Sequence, residues 1–79
     1  MNLIIDIGNT SSKVAIFNET DIIKQQIFIM LTLAEILSFS NGFAISASII
    51  SSVKKTDNNI QAIISHFNSL FLMHNLLHL

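Results

Sequence analysis

"LIIDIGNTSSKVAIF", residues 3–17, holds two apolar runs on either side of a short polar segment. Leu3 to Ile7 is apolar and mostly β-branched, interrupted only by Asp6, and reads as a strand buried on both faces. Gly8 to Ser11 has the composition of a turn. Ser12 to Phe17 alternates, with Val14 and Ile16 on one face and Lys13, Ala15 and Phe17 on the other. Two strands joined by a short Gly-Asn turn predict a hairpin.

Asn18 to Asp21 is a second polar turn, and Ile22 to Ile29 reads as a third strand whose Gln25 and Gln26 mark a partly exposed place. Three such strands in succession predict an antiparallel meander. The texture changes at Thr32. Thr32-Leu33-Ala34-Glu35 has the spacing of a capping box, and Leu33, Ile36 and Leu37 follow at helical intervals. Asn41-Gly42 supplies a left-handed stop. Phe43 to Ile50 reads as a fourth strand and Ser51 to Thr56 as a loop. Asp57 can cap a second helix, in which Ile60, Ile63, Ile64 and Phe67 form the strongest helical stripe of the chain. Asn68-Ser69 ends that helix, and Leu70 to Met73 reads as a fifth strand. The order β-β-β-α-β-α-β predicts an α/β fold, a mixed sheet with helices packed on it.

Composition bounds what such a domain can be. The 79 residues make one small domain. A chain of this size buries only about 60% of its unfolded surface, so its stability is expected to be modest. Cysteine is absent, which rules out disulfide support and fits a reducing compartment. No basic segment precedes the first apolar run, Asp6 interrupts that run, and no apolar stretch approaches the ~20 residues of a spanning helix. A cytoplasmic protein with no membrane segment is therefore expected. Charged residues make up 11% of the chain against about 25% in ordinary domains, so part of this surface is expected to be covered by something else. The last ten residues, Leu70 to Leu79, are an apolar tail, and self-association is expected. A net charge of −1 without a single arginine argues against nucleic acid as a ligand.

The turn in the opening stretch carries the chemistry. A loop that grips phosphate needs backbone amides in the gap, which glycine favours because it tolerates φ > 0. It also needs side-chain donors and a cation. "DIGNTSSK" offers Gly8 for backbone approach, Asn9, Thr10, Ser11 and Ser12 as donors, Lys13 as cation, and Asp6 as a ligand for Mg²⁺ through water. Asp6 inside an apolar strand would cost desolvation unless it had such a task. Gly, Asn, Ser and Thr are also ordinary hairpin residues, so a purely structural turn competes with a phosphate loop.

This opening resembles the first phosphate loop of the acetate kinase, sugar kinase, Hsp70 and actin superfamily, whose first hairpin cups nucleotide phosphates. Within it, "LIIDIGNTSSKVAIF" is similar to the start of type III pantothenate kinases. "AISASIISSVKK" looks like their fourth strand and following loop. The resemblance implies a ribonuclease H-like, actin-like ATPase half-domain over residues 1–79. It implies that Asp6 lies in the metal and phosphate region, that Gly8, Asn9, Thr10 and Ser11 wrap the phosphates of ATP, and that Lys13 faces them. It further implies phosphorylation of pantothenate to 4′-phosphopantothenate in coenzyme A biosynthesis, with ATP, Mg²⁺ and a monovalent cation (K⁺ or NH₄⁺), by a homodimer.

The chain also departs from that pattern. Family members are longer and carry a second domain, and a later Gly-x-Asp-Arg stretch supplies their general base. Here no Asp or Glu follows Asp57. The expectation is a truncated N-terminal domain without a catalytic residue of its own, inactive by itself because phosphoryl transfer needs charge stabilisation from several sides. Two alternatives stand beside it: a non-catalytic regulator of the Bvg accessory factor type, and a small α/β domain with no nucleotide site. His74 and His78 stand four apart with His66 upstream, but no acidic or Cys ligand accompanies them, so ordinary scattered histidines are expected rather than a metal site. Lys54-Lys55 reads as a solvated loop pair, and Ser51-Ser52 as a strand-end turn or a loop beside a cleft.

Overall fold

The computed structural model describes residues 1–73; His74 to Leu79, with the two tail histidines, lie outside the described residues. The two opening runs pair as expected. Strands β1 (Asn2–Ile7) and β2 (Ser12–Phe17) are antiparallel, with Ile7 opposite Ser12 and Asp6 opposite Lys13. A second turn leads to β3 (Ile22–Phe28), antiparallel to β2. The Asn18 side-chain oxygen organises that turn by accepting from the amides of Thr20 at 3.0 Å and Asp21 at 2.8 Å.

Helix α1 (Leu33–Phe39) starts where the Thr32 hydroxyl accepts from the Glu35 amide at 3.2 Å. Past its end, Gly42 takes the left-handed conformation, at φ 89°. Strand β4 (Ala47–Ser52) then lies parallel to β1. Helix α2 (Asn58–Phe67) is capped by Asp57 and stopped by Asn68 in the left-handed region at φ 50°. Strand β5 (Leu70–Met73) pairs parallel to β4. The result is an α/β domain with a five-stranded mixed sheet in the order β3-β2-β1-β4-β5 and two helices. An antiparallel meander occupies one side of β1 and a parallel pair the other. Among the described residues, no helix is long and apolar enough to cross a membrane.

Two expectations are corrected. The fourth strand spans Ala47–Ser52 rather than Phe43 to Ile50. Its extent is set by β1, whose Asn2 aligns with Ala47 and Ile7 with Ser52, while the Ser46 amide donates to the Met1 carbonyl at 2.8 Å. Phe43 and Ile45 precede the strand and pack against the core instead. Serines 51 and 52 carry little strand signal of their own, so pairing decides their conformation.

The second correction concerns burial of the first strand. Leu3, Ile5 and Ile7 are buried, whereas Ile4 is 37% exposed and Asp6 is exposed. Both helices cover one face: Ile36 and Phe39 of α1 and Ile60 and Ile63 of α2 join Leu3, Ile5, Val14, Ile16 and Ile50 in a single core. The opposite face carries Ile4, Ile49, Leu70 and Leu72 in the open. Asp6 therefore has no burial cost to offset.

Candidate functional site

Parallel pairing of β1 and β4 ends both strands side by side, so the segments beyond them emerge together. In open α/β sheets this crevice beyond the strand ends is where ligands bind. The first segment, Gly8 to Ser11, closes on itself when the Gly8 amide donates to the Ser11 carbonyl at 2.9 Å. A Cβ at position 8 would lie 2.9 Å from that same carbonyl, so the turn requires glycine for close approach. Positive φ, the reason expected from the sequence, is found at Gly42 and not at Gly8. The Gly8 amide is thus consumed within the turn. Among the described residues, the amides of Asn9 and Thr10 have no hydrogen-bond acceptor.

The second segment is fixed with more bonds. The Val53 amide donates to the Ile7 carbonyl at 3.1 Å, tying the end of β4 to the end of β1. Ser52 is fully buried; its hydroxyl donates to the Lys54 carbonyl at 2.8 Å and accepts from the Lys54 amide at 3.1 Å. These contacts fix the backbone of Lys54, whose side chain is exposed. Farther on, Asp57 Oδ1 accepts from the Ile60 amide at 2.8 Å, and the Asn59 side-chain amide donates to the Leu31 carbonyl. That last bond ties α2 to the loop after β3.

These segments enclose a cavity of about 270 Å³. Gly8 to Ser12 line it from the turn, Ile29 to Leu31 from the loop after β3, and Lys54, Asp57 and Asn59 from the approach to α2. Ile7, Ile60 and Ile63 form its apolar floor.

Of the residues singled out by sequence, Gly8, Asn9, Thr10 and Ser11 come together here. Asp6 and Lys13 do not line this cavity. They face each other across β1 and β2 on the open face, because Ile7 and Ser12, their neighbours, point to the covered one. Lys13 borders a separate hollow with Gln25, Gln26 and Ile27. The lysine that lines this cavity is Lys54, an exposed residue of the loop after β4, read from the sequence as one of a solvated pair. The signal that would have found it is topological: once β1 and β4 are parallel neighbours, the loop leaving one strand lies beside the loop leaving the other.

Among the described residues, no group of three His, Cys, Asp or Glu converges. His66 lies exposed on α2 with its ring 4.8 Å from that of Phe67. Compared with known proteins, the chain matches no family model and no characterised protein.

Proposed function

We propose that this chain is a phosphate-binding domain with the ribonuclease H-like arrangement of the actin-like ATPases, acting as the ATP-phosphate-binding part of a protein similar to type III pantothenate kinase. The observation that carries this reading is the sharing of one cleft by the Gly8–Ser11 turn and Lys54, beyond the ends of parallel β1 and β4. The element order and the central hairpin support it. The amides of Asn9 and Thr10, which have no acceptor among the described residues, are with the hydroxyls of Thr10, Ser11 and Ser12 donors suited to phosphate oxygens. Lys54 adds a charge-assisted contact.

Asp57 is the one carboxylate that lines the cleft among the described residues, and it is engaged in capping α2. Pantothenate as phosphoryl acceptor, the general base, Mg²⁺ and the monovalent cation rest on the resemblance alone. A handful of solvent-open hydrogen bonds, each netting about 0.5–1.5 kcal/mol, must offset an association cost of at least ~4 kcal/mol. Affinity for ATP is accordingly about millimolar. The test is a titration of isotope-labelled protein with ATP, GTP and pyrophosphate, followed by NMR. Shifts centred on Gly8 to Ser12 and Lys54, the same for both nucleotides, are expected. Shifts confined to the open face around Asp6 and Lys13, or none, would overturn the reading.

A further inference from the structure

Ile29 and Met30 open the loop between β3 and α1, and at 83% and 77% they are the most exposed large apolar residues of the described chain. Single exposed apolar side chains are ordinary on protein surfaces. These two are adjacent, and both line the cleft that holds the Gly8–Ser11 turn and Lys54. The next residue, Leu31, is buried, and its carbonyl accepts from the Asn59 side chain, so the loop is pinned at the cleft.

The cleft thus joins two chemistries. Hydroxyls, free amides and an ammonium group suit an anion, while Ile29 and Met30 would gain nothing from one. Its volume of about 270 Å³ exceeds what a single phosphate group fills and approaches the lower end, about 300 Å³, of sites for small organic ligands. We propose that the cleft takes an organic phosphate monoester, whose phosphate meets the Gly8–Ser11 turn and Lys54 while its apolar portion rests on Ile29 and Met30. This inference builds on the phosphate reading above and adds the class of ligand. Met30 suits the role because its unbranched thioether adapts to differing apolar shapes. Asn59 acts as a positioning residue by holding the loop.

The test compares three probes on the isotope-labelled chain at fixed ionic strength: inorganic phosphate, phenyl phosphate and phenol. Phenyl phosphate is expected to bind about tenfold more tightly than inorganic phosphate, the gain from covering a modest apolar area. In the double variant Ile29→Ser, Met30→Ser that gain should vanish, with an unchanged circular dichroism spectrum showing that the variant is folded. Equal affinity for the two phosphates, a gain retained in the double variant, or phenol shifting the same residues as strongly would overturn the inference while leaving the phosphate reading intact. Failure of either phosphate to shift Gly8 to Ser12 would overturn both.

Discussion

Ile49 and Ile50 are neighbours in β4, yet Ile49 is 40% exposed and Ile50 is fully buried. Nothing in their chemistry separates them; the difference is that both helices cover one face of the sheet. The same alternation sorts the polar residues of the opening stretch. Ile7 and Ser12 turn inward and lead into the Gly8–Ser11 turn at the cleft, whereas Asp6 and Lys13 turn outward. A motif that reads as one cluster in sequence is divided by the sheet into two places with different surroundings.

The largest effect expected from this contrast is at Ile50. Ile50→Ala should cost about 2–5 kcal/mol, the usual loss for a large aliphatic removed from a packed core. That is a large share of the stability of a small domain. Ile49→Ala should change stability by less than about 0.5 kcal/mol. Urea denaturation of both variants measures the contrast. Comparable losses at the two positions would show that a further layer covers the open face in solution.

A smaller effect is expected at the turn. Gly8→Ala pushes a Cβ to 2.9 Å from the Ser11 carbonyl, a backbone atom that cannot swing away. The cost should be about 1–3 kcal/mol, and amide exchange should quicken from Ile7 to Ser12. Unchanged stability with unchanged exchange would mean that the turn is looser than its 2.9 Å closing bond implies.

Smaller again is the cap of α2. Asp57→Ala removes the acceptor of the Ile60 amide and should cost about 1 kcal/mol, while Asp57→Asn or Asp57→Ser should restore most of it. Thermal melts of the three variants check this. A neutral Asp57→Ala would show that water caps the helix equally well.

Much of this architecture is legible in the sequence because it is local. The hairpin, the Thr32 and Asp57 caps and the Asn68 stop each arise from a few adjacent residues. Helix α2 is legible from its apolar stripe. The rest depends on which strands become neighbours. The apolar run Leu3 to Ile5 is compatible with burial on one face or two, and only the placement of both helices decides between them. The start of β4 is fixed by its register with β1 rather than by "FAIS", and the serines at its end are strand because Asp6 and Ile7 pair with them. In the cleft, Gly8 to Ser11 stand out as a motif, but Lys54 and Asn59 belong to it only through the parallel pairing and the bond from Asn59 to Leu31.

On the proposed phosphate reading, the cation of the cleft is Lys54 and not Lys13, although Lys13 is the lysine nearest the turn in sequence. Pyrophosphate affinity of Lys54→Ala and Lys13→Ala, measured against the unsubstituted chain at the same ionic strength, tests it most directly. Loss of a charge-assisted contact should weaken binding about tenfold in Lys54→Ala. Lys13→Ala should stay within about twofold, since a lysine on the opposite face acts only through screened, longer-range attraction. The reverse pattern, with Lys13→Ala impaired and Lys54→Ala unaffected, would place the anion on the open face of the sheet and contradict the account.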